Sequence, residues 1–303
     1  MTYEIYFRRV KGSEMDGTTR IEQALAAAVG AVTAHECPPK LTAAIHYSVF
    51  PGGARIRPKL CLAVARACGE DYPAVTDAAA AAIELLHCAS LVHDDLPCFD
   101  DATVRRGKIS VHRAFGERLA VLSGDALIVL AFQLLARVSE HAPARLPILL
   151  STVAAAVGAP RGIVAGQAWE CEPVVALADY QRAKTGVLFG AATEAGAIAA
   201  GVVHAPWRLL GERLGEAYQV ADDIRDAAGD PEKLGKPVGR DEALDRPSAA
   251  RELGIAGAVL RLKGLVEGAI DSIPPCRGAA DLRAHIMIEV NQLLPEELAR
   301  RAA

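Results

Sequence analysis

His93-Asp94-Asp95-Leu96-Pro97-Cys98-Phe99-Asp100-Asp101 closes a long apolar run, and Asp222-Asp223-Ile224-Arg225-Asp226 lies in a second one about 120 residues later. Two carboxylate nests are hard to keep near each other unless something cationic sits between them. The natural candidate is Mg²⁺, a hard ion with oxygen ligands at about 2.0–2.1 Å that is commonly shared with substrate phosphates. Basic residues trail each nest: Arg105, Arg106 and Lys108 after the first, Lys233 and Lys236 after the second. Carboxylates for a metal and cations for phosphate oxygens together point to a diphosphate substrate. Either nest alone would as readily cap a helix or sit in a solvated loop; the pair, each followed by cations, is hard to explain that way.

The surroundings of both nests read as helix. Apolar residues recur at helical spacing, strand alternation is nearly absent, and no Asn-Gly hairpin occurs. The expected helices are 20–35, 41–49, 56–68, 73–95, 111–137, 146–158, 160–169, 179–200, 207–226, 248–253, 255–270 and 279–292. Punctuation falls between them at Pro38-Pro39, Pro51-Gly52-Gly53, Gly69, Gly229-Asp230-Pro231 and Pro274-Pro275. No linker divides the chain and no repeat of 20–50 residues appears. The expectation is one all-α domain over 19–303, of roughly a dozen helices, with 1–18 a mobile arm or a dimer contact. On a helix Asp222 and Asp226, four apart, share one face about 6 Å apart along the axis. Pro97 disfavours a regular continuation after Asp95, so Asp100 should return from an altered turn.

Composition narrows the classes. The chain has 303 residues, 51% of them hydrophobic, and a net charge of −4, which is not the basic footprint of a nucleic-acid binder. Seven cysteines without a C-x-x-C pair read as small core residues of a reducing compartment. The N-terminal stretch is charged and is not a signal peptide. No apolar run reaches the roughly 18 residues of a membrane span. A cytoplasmic protein is expected.

Further motifs support a phosphate site. Pro51-Gly52-Gly53-Ala54-Arg55-Ile56-Arg57-Pro58 is a glycine turn entering a helix, and its two arginines can meet phosphate oxygens in forked geometry. Arg105-Arg106-Gly107-Lys108 is a second cationic turn, and Lys184-Thr185-Gly186 offers an ammonium and a hydroxyl. Tyr218-Gln219 sits one turn before the second nest. Glu84 and His87 have a carboxylate-metal spacing, but a di-iron bundle would need that pair twice.

In this order the motifs resemble those of the trans-isoprenyl diphosphate synthases, the head-to-tail polyprenyl synthetases. The resemblance spans roughly residues 40–250: Gly52–Pro58, Asp94–Asp100 with Arg105–Gly107, Gly166-Gln167, Lys184-Thr185, Tyr218-Gln219 with Asp222–Asp226, and Gly235-Lys236. The phrase DDLPCFDDATVRRGK is especially like bacterial geranylgeranyl diphosphate synthases. The resemblance implies an isoprenoid synthase fold around a central cavity, usually a homodimer, with isopentenyl diphosphate and an allylic diphosphate as substrates. It implies three Mg²⁺ ions: two on Asp94, Asp95 and Asp100, and one on Asp222 with Asp226, with Asp223 among the catalytic residues. It puts Arg105, Lys184 and Lys236 at the allylic diphosphate. Arg57, His87 and Arg106 fall at isopentenyl diphosphate, and Thr185 and Gln219 beside the developing cation.

Several positions depart from the family pattern. Ala54 stands where a lysine is usual, so Arg55 is expected to compensate at the substrate, or affinity there falls. Glu170 replaces the usual aspartate of the Gly-Gln segment, and Tyr218 replaces Phe. A class I terpene cyclase would usually carry an Asn/Ser/Glu triad in place of the second aspartate motif. A silent subunit of a heteromeric synthase would usually have lost one motif. Product length should be read along the helix before Asp94, where Ser90, Ala89 and Leu86 lie four, five and eight residues back. Small Ala89 leaves room where short-product relatives tend to place an aromatic ring, so a twenty-carbon product is expected, with a farnesyl synthase as the alternative.

Overall fold

The computed structural model describes residues 17–31, 37–50, 52–172, 185–228 and 248–293, with the side chains of 291–293 excepted. Among these residues the chain is all-α, apart from one two-stranded hairpin. In chain order the helices are α1 (17–31), α2 (Pro39–Val49), α3 (Ile56–Cys68), α4 (Pro73–Asp94), α5 (Val111–Phe115) and α6 (Glu117–Ala136). Then follow α7 (Leu146–Val157), α8 (Ile163–Ala168), α9 (Val187–Ala199), α10 (Arg208–Ala228), α11 (Ala249–Asp271) and α12 (Ala279–Leu293). The strands are β1 (Val104–Arg105) and β2 (Lys108–Ile109). The expected arm lies outside the described residues except for 17 and 18, which are helical, and the end of the first expected helix, 32–35, also lies outside them.

One difference from the sequence reading has a local cause, and one expected break recurs as a kink. The stretch 111–137 is two helices, because Gly116 takes φ 89° and ends α5 before α6 starts. Within α11, Gly254 has φ 67° and ψ 166°, which puts the break where the sequence reading separated 248–253 from 255–270.

The described chain forms two compact units. One takes in residues up to Thr103, Ile109–Ser151 and Ala195–Val202; the other takes in Val104–Lys108, Thr152–Glu194 and Val203 onward. In the first unit α4 is buried on every side: Ala78 to Leu86 are all buried, which fits a helix that is apolar all round. It packs on α3 and α6. Val92 and Leu96, at its end, join Ala44, Val111 and Ala120 in one apolar cluster. Arg20 on α1 bonds both oxygens of Glu70 (2.9 and 2.6 Å) and the carbonyl of Pro73, fastening α1 to the start of α4. Arg145 does similar work for α7, donating to Asp71 at 2.6 Å and to the Ala199 carbonyl at 2.7 Å. Its guanidinium holds the Asp71 carboxyl below its ordinary range.

By length and composition alone, α4 and the stretch Glu117–Glu140 could each cross a membrane, where the sequence reading expected no apolar run of that length. The apolar window of α4 is 78% buried, as in a core helix; that of Glu117–Glu140 is 39% buried.

In the second unit α10 packs along α11 through Ala217, Val220, Ala221, Ile224, Ala258 and Leu262. On its other side Gly211 and Gly215 let the backbone of 186–190 come close. A Cβ at Gly211 would lie 2.3 Å from the Phe189 carbonyl oxygen, and one at Gly215 would lie 2.8 Å from Gly186 Cα. Gly211→Ala therefore has to move backbone and should destabilise by about 1–3 kcal/mol. Gly264→Ala in α11, where nothing lies within 4 Å, should stabilise by about 0.5–1 kcal/mol. Urea unfolding of the two variants checks the opposite signs.

Candidate functional site

The first aspartate motif is a helix end folded back on itself. α4 stops at Asp94; Leu96 N–H bonds the His93 carbonyl (3.1 Å), and Pro97 follows with no N–H to offer. The chain then reverses: Asp100 N–H donates to the Asp94 carbonyl (3.0 Å), Asp101 N–H to Leu96 (3.1 Å) and Ala102 N–H to Asp95 (3.2 Å). This altered turn brings Asp94 and Asp100 together, with carboxylate oxygens within 4.8 Å of one another. Hard oxygen donors at that spacing could hold a metal ion, which fits magnesium. Asp94 and Asp100 are half-buried, whereas Asp95 is buried. Asp101, at φ 44°, is held by Arg113 (2.9 Å) and lies 3.5 Å from His112.

His93 anchors the motif from the side. Its Nε2 lies 3.3 Å from the Val121 carbonyl, and a Cβ at Gly124 would lie 2.1 Å from the same nitrogen. Gly124 is the space that the ring fills. Further back on α4, Leu86 and Ala89 are buried, and Ser90 Oγ donates to the His87 carbonyl at 2.8 Å.

The glycine turn behaves otherwise than expected. Arg55, the N-cap of α3, sits in the left-handed region at φ 52°. Its side chain is 1% exposed. It donates to Glu22 (2.8 Å), Glu84 (2.6 Å) and the Val49 carbonyl (2.8 Å). Burial alone would lower its pKa; the Glu22 and Glu84 carboxylates outweigh burial and hold it well above its ordinary value. This corrects the expectation that Arg55 meets substrate phosphate in place of the lysine missing at 54. Ala54 itself is exposed, and Arg57 and His87 are half-buried. Glu84 is thereby accounted for without a metal. Gly52 leaves the room that the Arg55 guanidinium occupies, since a Cβ there would lie 2.1 Å from it. The available sequence signal was Glu84 itself, a charge inside an apolar helix that needs a partner.

Arg105 and Arg106 lie on the hairpin. Arg106 (φ 53°) and Gly107 (φ 73°) form its tip, the pair of positive φ values that a type I′ turn requires. Both arginines and Lys108 are half-buried. Lys184, Lys233 and Lys236 lie outside the described residues.

In the second unit Asp222, Asp223 and Asp226 lie on α10. Asp222 is 34% exposed and accepts from Arg225 at 2.9 Å. The Arg225 guanidinium also stands over the Tyr218 ring at 5.6 Å, and that ring packs on Phe189. Asp223 is buried; its oxygens accept from Gln219 Nε2 (3.0 Å) and the Ala249 N–H (2.8 Å). Thr185 Oγ1 donates to Gln219 Oε1 at 3.2 Å. Gln167 and Glu170 face each other at 3.3 Å.

A polyprenyl synthetase profile matches residues 38–257. The chain is 56% identical to the geranylgeranyl diphosphate synthase of Cereibacter sphaeroides, over 93% of this chain and 98% of that one. The chain belongs to the polyprenyl synthetase family. Its all-α architecture is the isoprenoid synthase fold of that family. The geranyltransferase of Legionella pneumophila matches with a TM-score of 0.78 at 28% identity, covering 97% of this chain and 98% of that one. The Helicobacter pylori geranyltransferase, solved with magnesium and isoprenyl diphosphate, matches with a TM-score of 0.75 at 28% identity, covering 90% and 96%. As a polyprenyl synthetase the chain is an enzyme of the trans-prenyltransferase class.

Removing one partner of a buried ion pair leaves an uncompensated charge and costs about 3–5 kcal/mol. Glu84→Gln should fall near the low end of that range, since Glu22 remains. The measurement is the urea midpoint, with Glu216→Gln, an exposed partner of Arg261, changing stability by less than about 1 kcal/mol.

Proposed function

We propose that the protein is a magnesium-dependent head-to-tail prenyltransferase that condenses isopentenyl diphosphate with an allylic diphosphate to give geranylgeranyl diphosphate. The observation that carries this is 56% identity to a geranylgeranyl diphosphate synthase over nearly the whole chain, with all the aspartates of both motifs in place. Asp94, Asp95 and Asp100 hold two ions, and Asp222 and Asp226 a third. Bound magnesium supplies the positive charge that stabilises the departing diphosphate. Arg105, Lys184 and Lys236 bind that diphosphate and orient it. Arg57, His87 and Arg106 bind isopentenyl diphosphate, without help from Arg55. Thr185 and Gln219 turn polar oxygens toward the carbon as positive charge develops. The allylic C–O bond breaks, the double bond of isopentenyl diphosphate attacks, and the proton lost from the adduct goes to the released diphosphate. Apolar, alanine-rich walls exclude the water that would quench the cation.

The active form is a homodimer. Support comes from α6, where Val121, Leu122 and Val129 are exposed on a stretch otherwise apolar enough for a membrane; a second copy would cover that face. Seven cysteines without a disulfide suit the cytoplasm.

The test is turnover with both diphosphates. Asp94→Ala and Asp222→Ala should each lower it by about a hundredfold or more, with the circular dichroism spectrum unchanged, and excess chelator should abolish it. Full turnover in either variant or in chelator would sink the reading.

Product length follows from Ala89, the small side chain five residues before Asp94 on α4. Ala89→Tyr should shift the released product from twenty to fifteen carbons, read by chromatography of the dephosphorylated alcohols. An unchanged product would mean that the chain tail does not run along α4.

A further inference from the structure

The second motif carries three aspartates, and one of them is placed unlike the others. Asp223 is 3% exposed. Its neighbours on α10, Val220, Ala221 and Ile224, belong to the apolar cluster that also holds Ala249 and Ala250. An ionised carboxylate only accepts hydrogen bonds, and each oxygen of Asp223 accepts one from a defined donor. One comes from Gln219 Nε2 at 3.0 Å, the other from the Ala249 N–H at 2.8 Å. Ala249 opens α11, where the first N–H groups have no partner within the helix. The preceding Ser248 makes no side-chain cap bond. Asp223 caps that helix end from outside, a favourable place for a negative charge.

The same carboxylate decides the orientation of Gln219. An amide turned the other way would set its oxygen against the Asp223 oxygen. With the NH₂ group committed to Asp223, the carbonyl oxygen faces Thr185, whose hydroxyl donates to it at 3.2 Å. We propose that Asp223 is a positioning residue and not a metal ligand: it locks the Gln219 amide with its oxygen toward Thr185 and ties the start of α11 to the helix that carries Asp222. The proposal rests on the reading above, in which Thr185 and Gln219 face the reacting carbon. It removes Asp223 from the residues that meet ion or substrate.

Asp223→Asn keeps the shape and changes the polarity. The new amide can accept from the Ala249 N–H, but it must then donate toward position 219, so the Gln219 amide has to turn over. Its NH₂ would then face Thr185, presenting the wrong end of a dipole to a developing cation. The turnover number should fall by about tenfold or more, with the Michaelis constants for both diphosphates within about twofold, the signature of an interaction made in the transition state. Calorimetric titration of Mg²⁺ in the presence of inorganic diphosphate should give an affinity within about twofold of the unsubstituted protein. Asp222→Asn should weaken it by about tenfold or more. The double variant Asp223→Asn/Gln219→Glu moves the carboxylate to position 219 at constant net charge. There it accepts from both the new amide and Thr185, and it should recover most of the lost turnover and of any lost melting temperature.

Loss of Mg²⁺ affinity in Asp223→Asn equal to that in Asp222→Asn would overturn the proposal. So would undiminished turnover in the single variant, or a double variant no better than the single one. Absence of prenyl transfer by the unsubstituted protein would instead overturn the reading of the site, and the calorimetry would still decide between Asp222 and Asp223 as ligand.

Discussion

A guanidinium removed from water must be matched in charge and in hydrogen bonds, and the first unit is arranged around one such group. Arg55 reaches Glu22 on α1, the last turn of α2 through the Val49 carbonyl, and Glu84 in the middle of α4. It does so from a left-handed backbone conformation, one that costs an ordinary residue about 1–2 kcal/mol. Four helices therefore converge on a single side chain, and the turn that holds Ala54 and Arg57 has no freedom to settle elsewhere. Such pairs add little net stability compared with apolar packing, but breaking them is costly. Their effect is to admit one arrangement of helices and exclude near alternatives.

In both aspartate motifs the doubled pair is unequally buried. In Asp94-Asp95 and in Asp222-Asp223 the first residue is half-buried and the second is buried. Consecutive helical residues point about 100° apart, so two adjacent carboxylates on a helix packed on one side cannot both face outward. On α10 the outward one, Asp222, can present itself to an ion while Asp223 must find donors inside. For Asp223 those donors are Gln219 and the first N–H of α11. A doubled aspartate thus need not mean a doubled ligand.

Much of the fold was legible because α4, α6 and α10 carry their own periodicity, and Pro97 follows closely on the end of α4. The returning turn of Asp100 followed from Pro97 alone, and the kink at Gly254 falls between the two expected helices 248–253 and 255–270. What escaped were pairings across long separations. Arg55 looked like a phosphate ligand because its partners, Glu22 and Glu84, are 33 and 29 residues away, and nothing local distinguishes a buried arginine from an exposed one. The bond from Ala249 to Asp223 spans 26 residues and was equally invisible. The boundary at Gly116 was missed because the apolar pattern runs through it, while a positive φ leaves no trace in periodicity.

The fit between His93 and Gly124 has a consequence for descent. The ring occupies the volume that any Cβ at position 124 would need, so the two positions form a single hereditary choice. A lineage that acquired alanine at 124 could persist only after shrinking or turning the group at 93, directly before the first aspartate. Helix 73–94 grafted onto a relative with a side chain at the facing position therefore has to turn its His93 ring aside, unless its donor's glycine travels with it.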